Sequence, residues 1–389
     1  MRFCLFSVLT LLSCASETSE FDIQPISQVF EGAEQPCLFT DEAGVTWLSF
    51  QQRADTNVLL RITRLNGETW QEPQLIAQGT NWFVNWADYP VVASNGKGYL
   101  LAHMLPRSGE GKFAYDVFIA ASQDNGKSWS KPAKLHDDTT QTEHGFVSIV
   151  PYGNQFFLCW LDGRKTVGGE GHDHHGSMTL RAALVNTNGE KVQEWELDDR
   201  VCDCCQTTAA ITKNGPVVIY RNRSEDEVRD IFITRYENGS WSEPQPVYPD
   251  DWVIHGCPVN GPRCDAQGDN LVVAWFTASG EEPGVYVSFS SDGGKSFDEP
   301  VRVDEGKPIG RVDVILWDNQ TALVSWMEGA EIMLAHVTRV SKLKTLKVAQ
   351  TSESRSSGFP QLASSKQGAV LAWTDPEAKA VKSAFVYRK

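Results

Sequence analysis

The chain lacks a positive charge balance, and beyond its first dozen residues it lacks any long apolar run. Its 35 Lys and Arg stand against 50 Asp and Glu, a formal net charge of −15, which argues against a nucleic-acid partner held by general electrostatics. No segment after Leu12 is long and apolar enough for a transmembrane helix. The sequence instead holds 31 Gly, 13 Trp, 18 Phe and 9 Tyr, which favours short strands joined by many turns.

The first residues have the features of a targeting segment. Arg2 precedes an apolar run from Phe3 to Leu12, and residues 11–14, Leu-Leu-Ser-Cys, resemble the bacterial lipoprotein signal. We therefore expect a signal peptide over residues 1–13 and a tether over residues 14–20 that is lipidated on Cys14. Ala15 favours the outer membrane by the same resemblance, so we expect a cell-envelope protein that faces the periplasm or the cell surface. The alternative is an ordinary cleaved signal with a chance cysteine. Either compartment is oxidising and permits disulfides.

A four-strand pattern recurs along the chain. Its first copy has strands near 36–39, 45–47 and 59–62, a Gly turn ending in Trp70, and Pro73 before the fourth strand. Later copies start near Tyr89, Gly145, Gln206, Pro258, Arg311 and Phe359. A period of roughly 50 residues with four strands per unit is typical of a β-propeller.

The last copy holds only three strands before the chain ends, near 359–362, 369–373 and 382–387. Residues 21–30 can supply the fourth, which would close the ring and remove two exposed sheet edges. The sequence thus predicts an all-β fold, one propeller over residues 21–389 with seven four-stranded blades. Six blades is the alternative, if one weak copy is an elaboration.

Two turns carry a recognisable motif. Residues 122–129 (Ser-Gln-Asp-Asn-Gly-Lys-Ser-Trp) and 290–297 (Ser-Ser-Asp-Gly-Gly-Lys-Ser-Phe) resemble the Asp box of the sialidase superfamily, also called the BNR repeat. The Asp caps turn amides, Gly adopts a positive φ, and the aromatic residue fastens the turn to the blade. Residues 63–70 and 234–241 are degraded copies. The role of this motif is structural, so it indicates the fold more strongly than the function.

The resemblance implies a glycan site with three parts: an arginine triad for the substrate carboxylate, a Tyr–Glu nucleophile pair and an Asp acid. The candidate arginines are Arg164, Arg221, Arg311 and Arg355, and the candidate pair is Tyr220 with Glu225 or Glu227. The early Arg-Ile-Pro motif of sialidases is absent, the nearest match being Arg61-Ile62-Thr63. Seven-bladed polysaccharide lyases are a related option, in which His144, Tyr220 and Arg221 or Arg229 suit the base, the acid and the group that neutralises a uronate.

Polar residues cluster where propeller geometry would bring them together. The starts of inner strands and the loops between second and third strands lie at one end of the ring. The first class comprises Asp88, His144, Cys202, Cys204, Cys205, His255, Cys257, Arg311 and Arg355. The second comprises Asp162, Arg164, His172, His174, His175, Arg221, Arg223, Arg229 and Asp230. We therefore expect a ligand site at that mouth of the channel.

The cysteine and histidine residues leave two further chemistries open. Thiolates and imidazoles suit Cu(I) or Zn²⁺, so the predicted metal ligands are Cys202, Cys204, Cys205, His255, Cys257, His172, His174 and His175. The alternative is disulfides, with Cys202 or Cys205 paired to Cys257 and Cys204 paired to Cys264. Cys37 and Cys159 are expected in blade cores.

The sequence therefore predicts a lipid-anchored propeller that acts on or binds acidic glycans, as an exo-glycosidase-type hydrolase or a polysaccharide-degrading relative. The alternative is a non-catalytic copper- or zinc-binding propeller of the cell envelope. The expected ligand is a glycan or a small anion, the lipid anchor makes the outer membrane a partner, and we expect a monomer.

Overall fold

The protein folds into a ring of seven β-sheets, as the sequence predicts. The computed structural model describes residues 21–166, 176–280 and 282–388. Within those ranges one short 3₁₀ turn, Arg355–Ser357, is the only helical element. No helix in the described part of the chain is long and apolar enough to cross a membrane. The predicted signal peptide, the tether with Cys14, and His172, His174 and His175 lie outside the described residues.

Each blade is an antiparallel sheet whose strands follow one another from the channel outward. Blade 1 contains β3 (Ala33–Thr40), β4 (Thr46–Ala54), β5 (Asn57–Asn66), β6 (Thr69–Trp70) and β7 (Gln74–Gly79). Blade 2 contains β8 (Val92–Ser94), β9 (Leu100–Met104), β10 (Phe118–Ser122) and β11 (Ala133–Lys134). Blade 3 contains β12 (His144–Tyr152), β13 (Gln155–Asp162), β14 (Met178–Asn186) and β15 (Lys191–Val201).

The remaining blades repeat this order. Blade 4 contains β16 (Thr208–Thr212), β17 (Gly215–Arg221), β18 (Ile231–Glu237), β19 (Ser240–Trp241) and β20 (Gln245–Pro246). Blade 5 contains β21 (Arg263–Gln267), β22 (Asn270–Thr277), β23 (Gly284–Ser290) and β24 (Val301–Arg302). Blade 6 contains β25 (Pro308–Leu316), β26 (Thr321–Glu328), β27 (Glu331–Thr338) and β28 (Lys342–Gln350). Blade 7 contains β29 (Gln361–Ser365), β30 (Gly368–Asp375), β31 (Ala380–Arg388), β1 (Phe21–Pro25) and β2 (Phe30–Glu31).

The two ends of the described chain close the ring in blade 7. β1 pairs with β31 in antiparallel register, with Phe21 opposite Arg388 and Pro25 opposite Ala384. This pairing confirms the predicted closure by an N-terminal strand, and it covers the edge that β31 would otherwise expose.

Large aromatic side chains fill the space between blades. Trp160, Trp275 and Trp326 lie on the second strands of blades 3, 5 and 6 and are fully buried. Each indole N–H donates to a carboxylate, which for Trp160 is Asp162 at 2.9 Å. In these three blades the tryptophan near the end of the second strand therefore packs the core while its polar group stays satisfied.

The inner strands begin with an unusual backbone conformation. Gln35, Phe146, Val259 and Arg311 all have a positive φ although none is glycine. Neighbouring blades hold these positions: Asp88 Oδ1 accepts from the Phe146 N–H at 2.8 Å, and Asn260 Oδ1 accepts from the Arg311 N–H at 2.7 Å. The strained positions lie at one end of the ring, the end where function is expected.

Candidate functional site

We call the end of the ring where the inner strands begin the mouth face. Most of the described polar residues predicted for one end lie there, in the loops before β12, β16, β21 and β25 and after β13 and β17. The Asp-box turns lie at the other end, since the Asn125 N–H donates to Gly98 O in the loop between the first two strands of blade 2. The mouth face and the Asp-box turns therefore lie at opposite ends of the blades.

Two acids and a tyrosine form a hydrogen-bonded group where blades 2 and 3 meet on this face. The Tyr115 hydroxyl oxygen lies 2.8 Å from Asp88 Oδ2 and 2.8 Å from Glu143 Oε1. A tyrosine has one hydroxyl proton, so the second of these contacts requires a proton on one of the carboxyl groups. Tyr115 is fully buried and stacks on Phe83 with ring centroids 4.0 Å apart, whereas Glu143 is partly exposed. We call Asp88, Tyr115 and Glu143 the acid–tyrosine group.

The surroundings of the acid–tyrosine group favour protonated carboxyls. Burial raises the pKa of Asp88 to about 7, against the hydrogen bonds from the Phe146 N–H and Tyr115. Desolvation likewise raises the pKa of Glu143 to about 8, and the charges of Asp88 and Asp203 add to it. Burial and the two carboxylates raise the pKa of Tyr115 well above its ordinary value. Burial therefore favours a proton on these carboxyl groups near neutral pH, and perturbed pKa values of this kind are frequent at functional sites.

Gly145 leaves the space that this arrangement needs. A Cβ atom there would lie 2.0 Å from Asp88 Oδ2 and 2.8 Å from the Tyr115 ring. Asp88 and Tyr115 approach the Gly145 backbone so closely that only glycine fits at this position. Any larger side chain would displace the acid–tyrosine group.

A second network continues across the mouth face into blade 4. Arg223 contacts both oxygens of Glu227 at 3.0 and 3.1 Å through Nε and reaches Asp203 Oδ2 at 3.1 Å. Arg229 donates to Glu227 Oε2 at 2.7 Å and to Cys202 Sγ at 3.3 Å. Although burial raises the pKa of Glu227, the two guanidinium groups hold it down to about 2. Both arginines are therefore already paired with protein groups.

The cysteines are arranged differently from either predicted pairing. A disulfide joins Cys204 to Cys257, linking the loops before blades 4 and 5. The predicted bonds of Cys257 with Cys202 or Cys205, and of Cys204 with Cys264, are wrong. Cys202 and Cys205 are buried below the loop surface, and Cys264 lies in β21 with its sulfur 3.4 Å from Thr208 Oγ1. While the disulfide is intact, Cys204 and Cys257 cannot serve as the thiolate ligands that the sequence predicted.

Two free thiols remain close together beneath this disulfide. The sulfur atoms of Cys202 and Cys205 are 3.4 Å apart. The Cys205 thiol and then the Arg229 guanidinium lower the pKa of Cys202, whereas burial raises that of Cys205. Cys37 and Cys159 are buried in the blades as expected. His255, the remaining predicted metal ligand near this group, is exposed.

Two of the predicted substrate-binding arginines are buried and hold loops together. Arg221 is 1% exposed; its guanidinium donates to Arg229 O at 2.6 Å and to the carbonyls of Asn260 and Phe276, and it stacks on the Trp252 ring. Arg311 donates to Ser357 Oγ at 2.6 Å and to carbonyls of residues 353, 354 and 358, while it stacks on Trp86. Because these contacts occupy both side chains, the arginine triad implied by the resemblance is not assembled from Arg221 and Arg311.

Arg164 and Asp162 form an ion pair within blade 3. Arg164 Nε and Nη2 contact the two oxygens of Asp162 at 2.7 and 2.9 Å, and Asp162 is fully buried. Burial raises the pKa of Asp162, but this pairing keeps it at about 2. A bidentate pair of this kind orders the loop after β13.

Tyr220 does not pair with a glutamate. Its hydroxyl lies 2.5 Å from Asp198 Oδ2, and the ring is 1% exposed, so the predicted Tyr220–Glu225 or Tyr220–Glu227 pair is not formed. Asp230 accepts from the N–H groups of Asp251 and Trp252 and so holds a loop. Arg355 is exposed and lies over the Trp86 ring, 5.8 Å from its centroid.

The channel below the mouth face is a cavity of about 370 Å³. Arg263 crosses it and contacts Asp313 Oδ1 at 2.9 Å and the Tyr89 hydroxyl at 3.3 Å. Gln206 joins blade 2 to blade 5 across the mouth by donating to Ala87 O and accepting from the Gly261 N–H. Side chains from opposite blades thus cross the channel axis.

The sequence prediction gathered its candidate residues on this face but did not include Tyr115, Glu143 and Asp203. Tyr115 precedes the third strand of blade 2. Glu143 directly precedes His144, and the prediction included His144 but not Glu143. The adjacent glycine, Gly145, was the available signal, because a glycine at the start of an inner strand requires an explanation.

The fold and its turns define a seven-bladed, sialidase-like propeller with Asp boxes. The family model of the BNR repeat-like domain matches residues 48–368, so the chain belongs to that family. No curated protein matches its sequence significantly.

Several solved structures share the fold at low identity. A polysaccharide lyase of family PL25, an ulvan lyase, is similar with a TM-score of 0.53, 13% identity and coverage of 80% of either chain. The Penicillium chrysogenum α-L-arabinanase has a TM-score of 0.48, 12% identity and coverage of 93% of this chain and 97% of its own. The Hadza microbial sialidase Hz136 has a TM-score of 0.47 and 14% identity over 82% of this chain, which spans 66% of that longer protein. At 13% identity the likeness to the lyase establishes the fold alone.

Proposed function

We propose that this protein is a glycan-degrading enzyme of the cell envelope that acts on acidic glycans at its mouth face. The observation that carries the proposal is the acid–tyrosine group, in which one tyrosine hydroxyl bridges two carboxyl groups beside the rim. Glycoside cleavage by hydrolysis or by elimination needs a proton donor held against the leaving oxygen.

In this proposal Glu143 is the general acid, because it is the member of the group that is partly exposed. Tyr115 and Asp88 are positioning residues, since both are buried and hold the Glu143 carboxyl in one orientation. Exposed Arg355 over Trp86 offers a cation beside an aromatic surface, a combination that suits a sugar ring carrying a carboxylate or sulfate.

The lipid anchor on Cys14 and an outer-membrane location belong to the same proposal. They rest on the resemblance of residues 11–14 to a lipoprotein signal. Metabolic labelling with a fatty-acid analogue tests the anchor: label on the wild-type protein that is absent from a Cys14→Ser variant supports it, and equal labelling of both contradicts it.

A substrate screen tests the catalytic proposal. The purified protein is incubated with acidic polysaccharides, and reducing ends and unsaturated uronates are measured. We expect one class of product, and we expect Glu143→Gln to reduce its rate about 100-fold or more. Glu190→Gln, an exposed glutamate in the β14–β15 turn at the Asp-box end, is the matched control and should retain full rate. Failure to cleave any acidic polysaccharide, or a fully active Glu143→Gln protein, would contradict the proposal.

A second candidate function is binding of a soft metal ion by Cys202 and Cys205. Their buried sulfurs, 3.4 Å apart beside a cationic guanidinium, favour it because thiolates select Cu(I) and Zn²⁺. Copper bound by the reduced protein should disappear in Cys202→Ser and persist in Cys264→Ser. Equal copper in both variants would remove this candidate.

A further inference from the structure

A cluster of fully enclosed polar side chains lies behind the acid–tyrosine group. Asp116, His136 and His144 are 7%, 3% and 0% exposed, and they come from the segments before β10, after β11 and at the start of β12. Neither ring nitrogen of His136 has a hydrogen-bond partner, and neither does Asp116 Oδ1. Buried polar atoms without partners are costly, so a cluster of them calls for a ligand.

Two of the separations between these atoms are close to those of a tetrahedral metal site. Asp116 Oδ1 lies 3.5 Å from His136 Nε2 and 3.6 Å from His144 Nδ1. Ligand atoms around a tetrahedral zinc, at bond lengths near 2.0–2.1 Å, are about 3.3 Å apart. All three atoms lie within 4.8 Å of one another, but the His136 and His144 rings stack with centroids 4.0 Å apart and an interplanar angle of 10°. One imidazole must therefore rotate out of this stack before both rings can direct a nitrogen lone pair at a single ion.

The surrounding residues provide the outer contacts that such a site needs. Asp138 Oδ2 lies 3.1 Å from His144 Nε2, the carboxylate–histidine arrangement that fixes a metal-binding imidazole. Lys134 Nζ holds the other oxygen of Asp116 at 2.9 Å, which directs Oδ1 toward the two rings. The three carboxylates of Asp116, Asp138 and Asp162 exceed the two nearby cations, Lys134 and Arg164, by one charge.

We propose that Asp116, His136 and His144 bind one Zn²⁺ ion. Two imidazoles and one carboxylate are a ligand set that zinc accepts, with a further position left for water or a carbonyl oxygen. The Tyr115 and Thr142 carbonyls lie 3.3 and 3.2 Å from His144 Nδ1. In a protein without the metal, that nitrogen would donate a hydrogen bond to them instead.

The location explains what the ion would do. Asp116 follows Tyr115 and His144 follows Glu143, and the two segments are already bridged, since the His144 N–H donates to Tyr115 O at 3.2 Å. Tyr115 and Glu143 therefore belong to the acid–tyrosine group, whereas the residues that follow them, Asp116 and His144, belong to the proposed zinc site. The ion would fasten together the two segments that position the proton donor.

Metal binding is the direct test. The purified protein is stripped with a chelator and dialysed against micromolar Zn²⁺, and bound zinc is measured by mass spectrometry. We expect one equivalent and an upward shift in melting temperature. His136→Gln and Asp116→Asn should each lose that equivalent while remaining folded by circular dichroism. His103→Gln, another fully buried histidine of blade 2 whose Nδ1 accepts from the Val91 N–H, should retain it.

Cobalt distinguishes this site from the cysteines. Co²⁺ bound to Asp116, His136 and His144 gives the spectrum of nitrogen and oxygen ligands, whereas Co²⁺ at Cys202 and Cys205 gives intense thiolate charge-transfer bands. Thiolate bands in the stoichiometric wild-type complex would overturn the proposal. So would a wild-type protein that binds no zinc, or zinc binding that both ligand variants retain.

Discussion

The two ends of the ring use the same repeat in opposite ways. At the Asp-box end, blades 2 and 5 carry turns that are almost superimposable in their contacts. Ser122 and Ser290 each accept from a glycine N–H at 2.9 Å, and Asp124 and Asp292 each accept from a serine hydroxyl at 2.6 Å. At the mouth face, the residues near the start of the inner strands differ from blade to blade. They include Asp88 before blade 2, Cys205 before blade 4 and Arg311 in blade 6.

The two ends also differ in how far their contacts cross from one blade to the next. The Asp-box turn satisfies many of its backbone groups with its own serine and aspartate side chains, although blade 4 also contacts the blade 5 copy, where Arg235 donates to Gly294 O and Gln245 donates to Lys295 O. The mouth-face loops instead satisfy one another across blades: Asp88 holds Phe146, and Arg221 holds carbonyls of blade 5. Contacts at the mouth face should therefore be more costly to remove, and more coupled, than those at the Asp-box end.

The largest effect is expected from Arg221→Ala. It leaves several buried carbonyls without donors and removes the stacking on Trp252, so unfolding free energy should fall by about 3 kcal/mol or more. Urea denaturation measures it. Arg223→Ala, a partly exposed arginine two residues away, is the control and should cost clearly less. Equal losses would contradict the division of these arginines into buried clamps and rim residues.

Removal of the Cys204–Cys257 disulfide should have the next largest effect. The bond closes a loop with a sequence separation of 53 residues, and the Cys204→Ser/Cys257→Ser protein should lose about 2–4 kcal/mol. Thermal and urea unfolding measure the loss, with Cys264→Ser as the control. A double variant as stable as wild type would show that the loops before blades 4 and 5 are held by other contacts.

The pH dependence of stability should sharpen the comparison further. Asp88 has its pKa raised from 3.8 to about 7 in the fold, so the folded state retains a proton that the unfolded state releases. Its stabilising contribution is present below about pH 4 and is lost as the pH rises through about 7, with a slope of up to about 1.4 kcal/mol per pH unit. Asp88→Asn should flatten that part of the curve.

An aspartate at the Asp-box end should make a contribution to stability with the opposite pH dependence. Although burial raises the pKa of Asp292, the hydrogen bonds from Ser296 and its neighbours lower it to about 2, so its contribution is present above about pH 4 and is lost on acidification. Asp292→Asn should leave the slope between pH 4 and 8 unchanged. Identical curves for the wild-type and Asp88→Asn proteins would show that Asp88 does not carry the proton.

The smallest effect is expected from Asp292→Ala at pH 7. It removes turn contacts that are largely exposed, and we expect a loss of about 1 kcal/mol or less. Activity on any substrate found should be unchanged, because the turn lies at the far end of the blade. A change in rate comparable to that of Glu143→Gln would contradict the separation of the two ends.

The fold could be predicted from the sequence because each blade repeats the same short pattern of strands and turns. Tryptophan at the end of a second strand, as at Trp160, and the Gly turns were visible without any knowledge of contacts, and the incomplete last copy predicted the pairing of β1 with β31. The site was only partly predictable. Propeller geometry placed Arg221 and Arg311 beside the mouth face, but whether a guanidinium meets substrate or a backbone carbonyl depends on the neighbouring blade, which no local pattern encodes. The Tyr115 contacts span 27 and 28 positions of the chain and were invisible for the same reason.

The closing strand also fixes the end of the ring at which the described chain begins. Phe21 lies opposite Arg388, and beside it Tyr387 contacts Glu68 in a turn at the Asp-box end of blade 1. If the chain is attached to a surface just ahead of Phe21, as the proposed lipid anchor requires, the ring would be held by its Asp-box end. The rim with Glu143 would then face away from that surface.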